Sequence, residues 1–103
     1  MFLEISPQET WECLQSGSHF CVDVRELDEW NEVHVEGVVH NPLSSLDLNA
    51  IPTDQPVIVI CRSGARSGRV ATQLCEDRND VYNMVGGMNA WIEAGLPVVR
   101  PTQ

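Results

Sequence analysis

The stretch Val57-Ile58-Val59-Ile60-Cys61-Arg62-Ser63-Gly64-Ala65-Arg66-Ser67 limits what this chain can become more than any other. Its four leading residues are all β-branched and apolar, which predicts a short strand buried on both faces, as in a parallel sheet covered by helices. The run ends in a cysteine. A short polar loop follows, carrying two arginines and a glycine, and a helical pattern is expected over 67–76, with Val70, Ala71, Leu74 and Cys75 on one stripe. A thiol is thereby placed at the end of a core strand, where loop N–H groups and a helix N-terminus converge.

The rest of the chain supplies the surroundings. Phe2 to Ile5 predicts a first strand. Ser6-Pro7-Gln8-Glu9 is a capping box with proline at the first helical position, and Trp11 and Leu14 give that helix an inner face up to Gly17. Phe20 to Val24 predicts a second strand, with Asp23 and Arg25 at its carboxyl end. Glu26 to Asn31 predicts a short acidic helix with Leu27 and Trp30 inward. Val38-Val39 predicts a third strand, Leu43 to Leu48 a turn of helix, Val81 to Met84 a fifth strand after Val57 to Ile60, and Met88 to Ala94 a final helix after the Gly86-Gly87 turn. Strands alternating with helices argue for parallel pairing in an α/β fold. The length of 103 residues, with no linker or low-complexity tract, predicts one domain over 1–103.

Composition narrows the partners. Fifteen acidic residues against six basic ones give a formal net charge of −9, and all six basic residues are arginine. Such a chain is repelled by nucleic acid and by anionic membranes. No apolar run approaches the ~20 residues of a membrane span, and no basic-then-apolar leader is visible at the N-terminus, so a cytoplasmic location is expected. Arg62, Arg66 and Arg69 nevertheless cluster beside Cys61, a local positive patch suited to a small anion. The four cysteines, Cys13, Cys21, Cys61 and Cys75, show no disulfide framework and no Cys-x-x-Cys spacing, and are expected as free thiols.

Cys61 is the expected nucleophile. Cysteine pKa values drop from ~8.5 to roughly 3.5–7.5 near helix N-termini and cationic groups, and both influences are within reach here. Gly64 lets the backbone curl so that successive N–H groups line an anion nest. A buried cysteine merely closing a core strand is the alternative, but Arg-Ser-Gly-Ala-Arg-Ser does not suit a core. The bowl could hold a phosphate, an arsenate or a sulfur-bearing anion. The spacing Cys61 to Arg66 is Cys-x4-Arg, one residue shorter than the Cys-x5-Arg of cysteine phosphatases, and the tighter ring favours a single sulfur atom over a tetrahedral phosphoryl group.

Four segments carry a family resemblance. They are Asp23-Val24-Arg25-Glu26 with Glu29-Trp30, then His34-Val35-Glu36-Gly37-Val38, then Cys61 to Ser67, and finally Gly86-Gly87-Met88-Asn89-Ala90-Trp91 with Gly95-Leu96-Pro97-Val98. In this order and spacing they resemble a single-domain rhodanese, the thiosulfate sulfurtransferase type, over nearly the whole chain. Val33, Trp30 and Val38-Val39-His40 depart from the family pattern in the scaffold; the loop itself is intact.

The resemblance implies a three-layer α/β/α domain with a parallel five-stranded sheet of order 3-2-4-5-1. It implies double displacement: Cys61 takes a sulfane sulfur from a donor such as thiosulfate, and an acceptor, cyanide or a thiol, removes it. Loop N–H groups from Arg62 through Ser63, Gly64, Ala65 and Arg66 to Ser67 would stabilise the persulfide, and Arg62 and Arg66 would draw in the anionic donor and hold the loop. Asp23 and Arg25 are expected near the site in a supporting role, with a carboxylate there able to tether Arg66. No metal or organic cofactor is expected; His34 and His40 lack further ligands at metal-binding spacing. The expected partners are a small anionic sulfur donor and a thiol or protein acceptor. Other readings are a persulfide carrier in a protein relay, a cysteine phosphatase or arsenate reductase, and a non-catalytic interaction module. The acidic face Glu26, Asp28, Glu29, Glu32 and Glu36 is expected as solvated surface.

Overall fold

The computed structural model describes residues 1–101. Five strands form one sheet: β1 (Leu3–Ile5), β2 (Phe20–Asp23), β3 (Val39–His40), β4 (Val57–Ile60) and β5 (Val81–Met84). Four helices accompany them: α1 (Pro7–Ser16), α2 (Leu27–Glu32), α3 (Ala65–Leu74) and α4 (Gly87–Glu93). The order across the sheet is β1-β5-β4-β2-β3, all neighbours parallel, which is the expected 3-2-4-5-1 read from the other edge.

The sheet separates two cores because successive strand side chains point to opposite faces. On one face, Ile58 and Ile60 pack with Met84, Met88 and Trp91, and Trp11, Leu14 and Trp30 close over them from α1 and α2. On the other, Val57 and Val59 pack with Val22, Val70 and Ala71, and Leu74 of α3 adds to them. Leu43, Leu46 and Ile51, from two short 3-10 turns and the chain after them, complete that second core. All four residues of β4 are fully buried, as the unbroken apolar run requires.

The capping box at the start of α1 is present: Ser6 Oγ accepts from the Glu9 N–H, and the Glu9 carboxylate accepts from the Ser6 N–H. Three expectations need correction. α3 begins at Ala65, not Ser67, because Gly64 takes φ +104 and acts as the N-cap. That left-handed conformation costs glycine alone little, so the loop turns directly into helix. β3 is Val39–His40, one residue later than expected. Leu27 is 59% exposed. Three residues leave it about 60° short of a full turn from Trp30, and the six-residue α2 buries only the Trp30 side.

Candidate active site

β4 delivers Cys61 to the sheet's carboxyl edge. Val24 N–H donates to Ile60 O at 2.9 Å, so the ends of β2 and β4 lie side by side where the strand order changes direction, the place at which open α/β sheets offer a crevice. Cys61 has no exposed surface, whereas Arg62, Ser63 and Ala65 on the loop above it are exposed. The thiol lies at the floor of the bowl.

The loop's shape is imposed from two sides. From below, the N-terminus of α4 holds it: Met88 N–H donates to Cys61 O at 2.8 Å and Asn89 N–H to Arg62 O at 3.0 Å. Two otherwise orphaned helix N–H groups thus pin the two carbonyls. Gly87 makes this approach feasible, since a Cβ there would stand 2.4 Å from Cys61 O and 2.5 Å from Arg62 C and O. From the side, Arg66 is clamped by Glu29 of α2, with Nη1 to Oε1 at 2.7 Å and Nη2 to Oε2 at 2.8 Å. Glu29 is itself oriented by the Glu26 N–H at 3.0 Å. The guanidinium holds its carboxyl well down, at about 2: the Arg66 hydrogen bond does most of this, against burial, with the Glu26 N–H and the charges of Arg66 and Arg25 assisting.

The donors that reach the sulfur are Gly64 N at 3.1 Å and Ser67 Oγ at 3.2 Å. Burial works to raise the thiol pKa, but the Ser67 hydroxyl and the backbone N–H groups of Ser67, Gly64 and Ser63 outweigh it, and the net direction is downward. The hydrogen bonds, rather than the nearby arginines that the sequence reading puts first, do most of this lowering, although the Arg66 charge also couples to Cys61. Arg66 is bound up with Glu29, and Arg62 is 64% exposed and 3.9 Å from the same carboxylate.

Asp23 and Arg25 do not meet the loop. They form a buried pair, Arg25 Nη2 to Asp23 Oδ2 at 2.8 Å, with Nε bonded to both carboxylate oxygens. Arg25 Nη2 also donates to Val33 O at 2.7 Å and Nη1 to Glu29 O at 3.4 Å. The pair therefore satisfies the carbonyls at the end of α2 and fixes the helix that presents Glu29. The carboxylate that tethers Arg66 is Glu29, not Asp23. His34 Nδ1 donates to Trp30 O and His40 Nε2 to Arg25 O, each at 2.8 Å, and both rings stack on Trp30. Among the described residues no group of three or more metal-ligating side chains gathers.

Sequence reasoning missed three contributors. The sequence reading places Glu29 on the solvated face, although its place three residues after Glu26 marks a capping pair. Asn83 is a polar residue inside an apolar strand, a signal of a buried hydrogen-bonding task; it accepts from Ser67 Oγ and donates to Gly64 O. Gly87, second of a glycine pair, marks a close backbone approach.

A cysteine at the switch point of a parallel sheet, with the Gly64 N–H and the Ser67 hydroxyl on its sulfur, places the chain among α/β proteins that hold a thiol at the carboxyl edge of the sheet. The particular family follows from comparison: the model of the Rhodanese-like domain family matches residues 6–94, and the chain belongs to that family. It is 37% identical over 100 residues to the thiosulfate sulfurtransferase GlpE of Haemophilus influenzae, covering 94% of both chains. It is 33% identical to the protein of the same name from Glaesserella parasuis, covering 94% of this chain and 93% of the relative. Among solved structures, a rhodanese-related protein from Thermoplasma volcanium superposes with a TM-score of 0.87 at 27% identity, over 95% of this chain and 98% of that one.

Proposed function

We propose that the chain is a sulfurtransferase that carries sulfane sulfur as a Cys61 persulfide, working as one domain over residues 1–103 in a reducing, cytoplasmic setting. The observation that carries this reading is the set of donors around Cys61 Sγ, with Gly64 N at 3.1 Å and Ser67 Oγ at 3.2 Å, in a loop of Cys-x4-Arg length. The names of the relatives support the class of reaction, and the four free cysteines suit a reducing compartment.

The thiolate attacks the outer sulfur of thiosulfate. A new S–S bond forms at Sγ, the old one to the sulfite sulfur breaks, and sulfite leaves with the electron pair. The negative charge then sits on the terminal sulfur, within the ring of loop N–H groups from Arg62 to Ser67, and such preorganised donors lower the energy of charge that develops there. A cyanide ion, a small thiolate or the thiolate of a partner protein then attacks the terminal sulfur, and the pair returns to Sγ. Nothing in this cycle requires a metal or an organic cofactor.

Thiocyanate formation from thiosulfate and cyanide tests the reading. Turnover that disappears in Cys61→Ser supports it. Absence of thiocyanate with thiosulfate and with other persulfide donors, alongside hydrolysis of an aryl phosphate, would overturn it.

A further inference from the structure

Ser67 and Asn83 are both buried and both uncharged, and their geometry does more than hold the loop. Ser67 Oγ lies 3.2 Å from Cys61 Sγ and 2.5 Å from Asn83 Oδ1. Asn83 Nδ2 donates to Gly64 O at 3.0 Å. A carbonyl oxygen only accepts, so the amide nitrogen must face Gly64 and the amide oxygen must face Ser67. Ser67 therefore stands between two groups that can each take its hydroxyl hydrogen, and it has one to give.

Three states of Cys61 make different demands on that hydrogen. With a neutral thiol, S–H donates to Ser67 Oγ and the hydroxyl donates to Asn83 Oδ1, and every group is satisfied. With a thiolate, the hydroxyl must turn to Sγ. Ser67 Oγ and Asn83 Oδ1 are then left facing each other with no hydrogen between them. With sulfur bound, Sγ is no longer anionic, the charge sits on the terminal sulfur, and the hydroxyl is free to return to Asn83. We infer that Asn83 is a positioning residue that acts through Ser67, raising the energy of the resting Cys61 thiolate relative to both its protonated and its sulfur-bonded forms. Ser67 alone favours the thiolate; Asn83 opposes it, and so tilts the balance toward sulfur loading.

The charged groups facing this site from the surrounding elements are few. Arg66 of α3 is paired with Glu29 of α2, Arg62 stands exposed on the loop, and Asp23 at the end of β2 is bonded to Arg25. β5 contributes the neutral Asn83, and α4 meets the loop through backbone N–H groups. The effect of Asn83 is thus separable from theirs. Its first half requires only that Cys61 titrates; its second half rests on the persulfide reading above.

Iodoacetamide alkylation followed at the Cys61 peptide as a function of pH gives the thiol's midpoint. Asn83→Leu should lower that midpoint, raising the thiolate-to-thiol ratio at a fixed pH about three- to tenfold, the worth of one hydrogen bond. In a Ser67→Ala background the same substitution should do nothing. A midpoint that Asn83→Leu leaves unchanged or raises, or a shift that persists without the Ser67 hydroxyl, overturns the proposal. Should the leucine not be accommodated, Asn83→Ala and the unaltered protein still decide it: the 15N-labelled Asn83 side-chain amide should shift with the same midpoint as Cys61, and no movement overturns the coupling. For loading, intact mass in thiosulfate–sulfite mixtures at a pH above both midpoints, where the unloaded protein is thiolate, should show a loaded-to-unloaded ratio lower by the same factor in Asn83→Leu, and an equal ratio there overturns that half. An unaltered protein that gains no sulfur in these mixtures overturns the persulfide reading, while the titration still decides the link between Asn83 and Ser67.

Discussion

Cys21 and Cys61 are both buried, yet their thiols move in opposite directions. Burial, with a smaller effect from Cys13, pushes Cys21 up to about 12, while the donors around Cys61 more than offset its burial. The difference is hydrogen bonding, not depth. Alkylation near neutral pH should therefore mark Cys61 and spare Cys21 in the folded protein. The reactive form of Cys61 is the thiolate, so labelling should fall as pH drops through the lowered midpoint. Ser67→Ala should move that midpoint upward, which a pH series of labelling rates would reveal. We expect the two loop arginines to divide the work that the sequence reading gives them jointly. Arg62→Ala should weaken use of thiosulfate about two- to fivefold while leaving a neutral persulfide donor nearly untouched, the scale of an exposed charge. Arg66→Ala should impair both donors alike, because it unlocks the loop. Steady-state kcat/KM with the two donors separates these outcomes, and equal losses for Arg62→Ala would contradict its role in charge attraction.

At the scale of elements, α2 and α4 are brackets on the loop. Asp23 and Arg25 hold the end of α2, α2 presents Glu29, and Glu29 holds Arg66. Removing Arg25 leaves a buried carboxylate unpaired, and Arg25→Ala should cost about 3–5 kcal/mol in urea unfolding. Glu29→Gln breaks a half-buried pair and should cost about 1–2 kcal/mol. Its pH dependence follows from the sign of the shift. The Glu29 carboxyl is held below its ordinary value of 4.5, at about 2, so the stabilisation is complete above about 4.5 and is lost as pH falls toward 2. The stability gap between the native protein and Glu29→Gln should close over that interval. Gly87→Ala forces a Cβ into the Cys61 and Arg62 carbonyls and should destabilise by about 1–3 kcal/mol or more, with loss of alkylation selectivity at Cys61.

Sequence patterns rendered these elements unevenly. The β4 run, the Ser6–Glu9 capping box and the Cys61–Ser67 loop declare themselves locally, because an unbroken β-branched run, a cap and a glycine turn are local signals. The helix start at Ala65 was hidden, since Gly64 caps it by backbone conformation without a side-chain cap. Glu29 and Asn83 were hidden for another reason. Each meets the loop across a long stretch of chain, and the contact exists only once the sheet order brings α2 and β5 beside β4.

For the whole molecule, that order is the decisive fact. Parallel β2 and β5 flank β4 on either side, so the loop after Cys61 receives support from α2 on one flank and Asn83 on the other. The formal net charge of −9 sets a general repulsion for anions, and we propose that Arg62, exposed on the loop, counters it. Incubation with thiosulfate followed by intact mass tests the central claim most directly. The account predicts gain of one sulfur atom on the unaltered chain, its loss on treatment with cyanide, and no gain in Cys61→Ser. A chain that gains no sulfur, or that gains it equally without Cys61, would contradict it.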